Sequence, residues 1–247
     1  RVNLFYNNKG KALALRNVNS KIPQFSDLKI PKIVYENSLK QNGLILITGP
    51  TGSGKSTSLA SIIDRLNAET RKNIITIEDP IEFIYENKMS LISQREVGRD
   101  APSFSSALRA ALRQDPEIIM VGELRDPESI SLALTAAETG HIVFGTLHTN
   151  SAPDTINRII DAFPAGQQNQ IRSQLSQCLR LVMTQQLLKV NGENKRTGVF
   201  EIMVCNNPIS NLIRENKVFQ IHNVMETSMQ FGMITMKKAL LLSGYVN

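Results

Sequence analysis

The sequence predicts an α/β fold with a mainly parallel sheet, and three observations carry that prediction. Apolar runs of strand length at 44–47, 74–77, 118–121 and 142–144 show no alternation, as strands covered on both faces do. Segments with helical spacing lie between them. The first run passes straight into Gly49-Pro50-Thr51-Gly52-Ser53-Gly54-Lys55-Ser56-Thr57, and then into Leu59, Ile62, Ile63 and Leu66 at helical spacing. Strand, glycine turn and helix in that order are the context that the G-x-x-x-x-G-K-[ST] phosphate loop requires.

The chemistry of that loop follows from its backbone. Glycines let the chain curl so that successive N–H groups and the helix N-terminus point at phosphate oxygens. Lys55 then reaches the β- and γ-phosphates, and the Ser56 hydroxyl sits on Mg²⁺. Residues 49–57 are therefore expected to bind a nucleotide.

The elements follow in order. Val2 to Tyr6 and Ala12 to Arg16, around Asn7-Asn8-Lys9-Gly10, read as a hairpin too short to be stable alone. Ser20 to Asn42, with Pro23 and Pro31, reads as a linker followed by a short helix. Ile74 to Ile77 is a second strand and 91–94 a third. Ser103 caps a helix whose apolar stripe is Phe104, Ala107, Leu108, Ala111 and Leu112, and Asp115-Pro116 stops it. After the strand at 118–121, Asp126 as N-cap, Pro127 and Gly140 bracket another helix. The strand from His141 to His148 follows, then helices at about 154–162 and from Gln167 to Gln186. Leu187 to Val190 is expected to pair with Val199 to Val204 across Asn191-Gly192, and the chain turns helical again from Pro208.

Composition bounds the function. The 247 residues suffice for one large domain or one plus a fragment, and 41% hydrophobic with 20% charged residues fits a globular chain. No apolar run approaches the ~20 residues of a membrane span, and no signal peptide is visible. The chain opens on Arg1, so its true N-terminus is expected upstream. Two cysteines, Cys178 and Cys205, provide neither a disulfide framework nor a four-thiolate zinc site, which suits a reducing cytoplasm. The net charge of +6 lies wholly in residues 1–43, with eight Lys/Arg against two acidic residues, while residues 44–247 are neutral. The basic segment could meet nucleic acid, an anionic membrane surface or a neighbouring subunit's nucleotide, or be a solvated face.

Beyond the loop, the strand at 118–121 ends in Gly122-Glu123, where a phosphate-loop NTPase usually has a metal-binding Asp. Glu123 is placed to orient and deprotonate the attacking water, or else to form a surface salt bridge with Arg125. Metal coordination then falls to water or to Glu78, Asp79 and Glu82 at another strand's C-terminal end. His141 and His148, seven apart, suit a γ-phosphate sensor better than zinc, with a purely structural histidine as the alternative. Arg95, Arg99, Arg109, Arg113 and Arg125 supply cations for phosphoryl transfer, although Arg109 and Arg113 read better as helix-surface charge.

Four blocks stand in order: 49–57, Ile77-Glu78-Asp79-Pro80-Ile81-Glu82, Leu112-Arg113-Gln114-Asp115-Pro116 through Asp126, and Thr139-Gly140-His141 through Ala152. They resemble the Walker A, Asp box, Walker B and His box of secretion-type ATPases. With Gln94-Arg95-Glu96-Val97-Gly98, Ala136-Ala137-Glu138-Thr139-Gly140-His141 and Asn211-Leu212-Ile213-Arg214-Glu215, the chain is similar to the PilT-like retraction ATPases of type IV pili. The resemblance implies a RecA-like P-loop NTPase core with a helical C-terminal part at about 207–247, spanning 43–247 in all. It implies that residues 1–30 end a PAS-like N-terminal domain and that 31–42 link it to the core. It further implies an ATP- and Mg²⁺-dependent homohexamer on the cytoplasmic side, peripheral at the inner membrane, acting on a pilus platform protein there. In that pattern Glu123 is the catalytic glutamate and Glu82 the main Asp-box carboxylate. Ser56, Glu82 and Glu123 attend Mg²⁺, partly through water. His141 and His148 are the His-box pair, and Arg1 and Arg16 match arginines that approach the nucleotide. Pro208 and Ser210 depart from the family's C-terminal pattern.

Three rivals remain open at this level. Pilus-extension or type II secretion ATPases typically carry a paired Cys-x-x-Cys zinc site, which two isolated cysteines disfavour. A PilU-like accessory retraction ATPase is not separable by sequence. A RecA-like nucleic-acid translocase predicts basic loops in the core, whereas residues 44–247 are neutral, so no stable nucleic-acid partner is expected.

Overall fold

The apolar runs pair side by side, as strands that hide both faces must. The computed structural model describes residues 2–15, 21–190 and 195–244. Strands β1 (Val2–Asn7) and β2 (Gly10–Leu15) form a separate antiparallel hairpin, with Leu4 and Tyr6 exposed. Helix α1 (Lys32–Ser38) is the short helix expected after the prolines, and it buries Val34 and Tyr35.

The main sheet begins with β3 (Gly43–Thr48), followed by helix α2 (Lys55–Glu69), β4 (Asn73–Glu78) and β5 (Leu91–Glu96). Helix α3 (Phe104–Ala111) starts in a capping box on Ser103 and leads to β6 (Ile118–Val121). Helix α4 (Pro127–Glu138) is capped by Asp126 and leads to β7 (Ile142–Leu147). Helices α5 (Ala152–Asp161) and α6 (Ala165–Cys178) precede β8 (Leu179–Lys189) and β9 (Arg196–Val204). Helices α7 (Asn207–Arg214), α8 (Ile221–Thr227) and α9 (Met236–Ser243) complete the helical C-terminal part. The sheet order is β5-β4-β6-β7-β3-β8-β9. Every pairing is parallel except β8 with β9, so the fold is α/β with a mostly parallel sheet.

Alternate residues of β3 feed two cores. Leu44 and Leu46 join the side chains of α3 to α7 on one face, while Ile45 and Ile47 join α1 and α2 on the other. Burial on both sides is why these strands show no polar alternation.

One expected element is overturned. The helix predicted from Gln167 to Gln186 stops at Cys178, and the chain continues as β8. Leu179, Leu181, Val182 and Met183 are buried between β3 and β9, so pairing overrides a local composition that also suits a helix. The turn expected at Asn191-Gly192, together with Arg1 and Arg16, lies outside the described residues.

Candidate nucleotide site

The loop between β3 and α2 takes its shape from glycine. Gly49, Gly52 and Gly54 all have positive φ, a region that side chains disfavour. At Gly49 a Cβ would also fall 2.3 Å from the Gln185 carbonyl oxygen. Gly54 begins α2 without a side-chain cap and with no acidic residue in the first turn, leaving the N-terminus of a 15-residue helix turned to the cleft. That end attracts anions. The base of the loop is held from β8: the Ser58 hydroxyl donates to Gln185 Oε1 at 2.7 Å, and Thr48 and Thr184 share a hydroxyl bond at 2.9 Å.

Lys55 folds back over this loop. Its Nζ donates to the carbonyls of Gly49 at 2.8 Å and Pro50 at 3.2 Å. Burial lowers its pKa, partly offset by the negative charge of Glu123. The Nζ also lies 3.3 Å from His148 Nδ1. An ammonium can only donate, so this contact makes Nδ1 the acceptor and puts the imidazole proton on Nε2. Nε2 in turn faces Glu123 Oε1 at 3.5 Å.

Glu123 thus sits at the centre of a chain of charges, with Arg125 Nη2 2.7 Å from its other oxygen. Burial is the strongest single influence on this carboxyl and would raise its pKa. The hydrogen bond and charge of Arg125, with His148 and Lys55, together outweigh it and hold the group below its ordinary range. The salt bridge with Arg125 is present, and Glu123 also lines the cleft. The glycine before it has a packing reason. A Cβ on Gly122 would lie 3.2 Å from the Ile77 carbonyl oxygen and 3.3 Å from Glu78 Cα, leaving an Asp there little room.

The carboxylates at the end of β4 divide by role. Glu78 is buried, and Thr76 Oγ1 and Gln94 Nε2 donate to it at 2.7 and 3.2 Å. Burial raises its pKa, with those bonds and the Glu82 backbone N–H offsetting part of the effect. Glu78, Asp79 and Glu82 all line the same cleft as Ser56 and Glu123. The cleft encloses about 590 Å³, within the range of small-molecule sites.

Not every candidate converges. His141 stands just before β7 and His148 just after it, so seven steps of about 3.3 Å per residue separate them by roughly 23 Å. His141 Nδ1 contacts the Ala136 carbonyl at 3.0 Å instead. A sensor role for His141 in this chain's own cleft is therefore corrected: parallel strands carry ligands at their C-terminal ends, and His141 is at the other. Arg95 bonds Gln114, Arg99 pairs with Asp100, and Arg109 pairs with Glu128, leaving Arg125 as the member of that set in the cleft. Sequence reasoning missed Gln185 and Thr146. Gln185 lay in the stretch read as helix, and Thr146 showed only as one polar residue in an apolar run.

The family model described as "Type II/IV secretion system protein" matches residues 9–246. A twitching motility protein of Neisseria gonorrhoeae is 50% identical over 240 residues, which are 97% of this chain and 64% of that protein. The type IV pilus retractation ATPase PilT of Pseudomonas aeruginosa is 49% identical over 250 residues, covering all of this chain and 72% of that protein. A crystal structure of the pilus retraction motor PilT with bound ADP matches with a TM-score of 0.86 at 48% identity, over 97% of this chain and 72% of that one. The chain thus spans about two thirds of the length of these relatives. With a family model matched from residue 9 almost to the end and half the residues shared with such relatives, this chain belongs to the type II/IV secretion system protein family.

Proposed function

We propose that the chain is the ATP-hydrolysing motor of type IV pilus retraction, with residues 43–247 as a RecA-like core. The observation that carries this reading is the convergence of Lys55, His148 and Glu123 on the mouth of a phosphate loop. Likeness along nearly the whole chain to a twitching motility protein and a retraction ATPase supports the choice of machine.

In the proposed reaction, the loop N–H groups and the α2 N-terminus hold the phosphates, and Lys55 leaves the Gly49 and Pro50 carbonyls to meet the β- and γ-phosphates. Glu123 orients a water in line with the γ-phosphorus and takes its proton as the new O–P bond forms and the bridging O–P bond to the β-phosphate breaks, leaving ADP and inorganic phosphate. His148, whose Nε2 stands 3.5 Å from Glu123 Oε1, keeps the carboxylate turned inward. Residues Ser56, Glu82 and Glu123 suit Mg²⁺, because Mg²⁺ binds few protein ligands and completes its shell with phosphates and water. Among the described residues no cluster of three or more His, Cys, Asp or Glu could hold a metal alone, which fits an ion shared with the nucleotide. Bound there, it would neutralise phosphate charge.

The proposal extends to a homohexamer in which residues 1–30 complete a PAS-like domain, 31–42 join it to the core, and Arg16 reaches a neighbour's nucleotide. In this reading the ring works at the cytoplasmic face of the inner membrane against a pilus platform protein. Among the described residues no helix is long and apolar enough to cross a membrane. Deleting the gene in its host and imaging pili tests the reading. Retained pili that do not retract are expected, whereas absent pili would make this an extension motor.

A further inference from the structure

We propose that Thr146 is the positioning residue for Glu123, holding the backbone on both sides of it from the neighbouring strand. The proposal rests on the reading of Glu123 as the residue that activates water. Thr146 is the penultimate residue of β7, is buried, and lines the cleft. Its hydroxyl donates to the carbonyl oxygen of Gly122, the residue before Glu123. Its own carbonyl accepts the N–H of Leu124, the residue after Glu123, at 3.0 Å. One residue of β7 therefore grips both peptide neighbours of the carboxylate.

The grip is needed where the sheet ends. The last β6–β7 pair is Val121 with Gly145, so Glu123 lies beyond the ladder. Gly122 is tied on its other side through its N–H, which donates to the Ile77 carbonyl at 2.7 Å. Gly145 completes the seat. A Cβ there would stand 2.6 Å from Leu124 Cδ1 and 3.4 Å from Leu46 Cδ2, so the absent side chain is the space that Leu124 fills. Leu124 is buried and cannot swing aside without opening the core. The backbone on either side of Glu123 is thus fixed by three hydrogen bonds and one packed neighbour, while its side chain faces His148.

A shift of about 1 Å in a reacting group can lower a rate by up to ~10²-fold. Thr146→Val keeps shape and backbone but removes the hydroxyl bond to Gly122. In the full chain it should lower kcat ~10-fold or more, with ATP and ADP affinity within about twofold of wild type. Thr146→Ser, which restores a hydroxyl, should recover most of that loss. Gly145→Ala, which pushes on Leu124, should lower kcat in the same way if Thr146→Val fails to fold. Wild-type kcat in Thr146→Val, equal activity in the Val and Ser variants, or a matching loss of nucleotide affinity would each overturn the positioning role. An inert wild-type protein would remove the motor reading and this inference together. An active wild type with an equally active Thr146→Val would remove this inference alone.

Discussion

Arg125 Nη2 lies 2.7 Å from Glu123 Oε2, and this ion pair occupies the carboxylate that faces His148 with its other oxygen. The two residues are two apart on one loop, so the pair closes locally and does not depend on a neighbouring subunit. Its hydrogen bond and charge, with the charges of His148 and Lys55, outweigh burial and hold the Glu123 pKa below its ordinary range. It also weakens Glu123 as a base, since a low pKa means a low proton affinity.

Arg125→Ala should therefore move the acid limb of the ATPase pH profile upward. Without the guanidinium, its hydrogen bond and charge no longer lower the Glu123 pKa, which rises, so at a given acidic pH a smaller fraction is ready to accept a proton. A profile of kcat against pH from about 4 to 8 reads the shift. An unmoved acid limb would mean that Glu123 is not the group that titrates.

Glu123→Gln should keep ATP binding and lose hydrolysis, because the amide preserves shape and cannot take a proton. General-base catalysis is typically worth ~10²–10⁴-fold. A loss below about tenfold in steady-state assays would transfer the role to Glu78 or Glu82.

Lys55→Ala should abolish measurable hydrolysis and weaken nucleotide binding while leaving the fold intact. Its Nζ bonds two loop carbonyls and belongs to no core cluster. Circular dichroism with a nucleotide titration separates these effects, and unchanged affinity would contradict the phosphate-loop assignment.

Glu201 makes a stability prediction away from the cleft. Its two oxygens accept the first backbone N–H groups of α5 and α9, from Ala152 at 2.8 Å and Met236 at 3.0 Å. Lost helix caps cost about 1 kcal/mol each, so Glu201→Ala should lower stability by ~2 kcal/mol or more in urea unfolding. Burial raises its pKa, with those two bonds partly offsetting the effect. The folded state then holds the proton more tightly than the unfolded chain. This group's contribution to stability therefore falls as pH rises from the ordinary carboxylate range through the raised value. Glu201→Gln should flatten that part of the stability–pH curve.

Arg16 tests the ring. An arginine supplied across an interface can be worth ~10³–10⁵ in rate. Arg16→Ala should slow hydrolysis strongly with little change in nucleotide affinity. Mixed with Glu123→Gln subunits under conditions of exchange, it should yield rings more active than either parent. A mixture as inactive as its parents would rule out action in trans.

What the chain's own letters determined is local. Glycines at 49, 52 and 54 encode the left-handed turns of the loop before Lys55-Ser56, and Ser103 and Asp126 announce the helices they cap. Uninterrupted apolar runs announce strands covered on both faces. These signals were legible because they constrain φ and ψ within a few residues. Tertiary structure decided what lies far apart in sequence. The stretch from Leu179 became a strand because β3 needed a second neighbour, and only then did Gln185 arrive beneath the loop. His141 and His148 look alike in sequence, yet strand direction sends one to the cleft and the other to the opposite edge. Thr146 came to hold Glu123 because β7 lies beside β6. Sheet order is set by the burial of whole faces, a property that no short window of sequence contains.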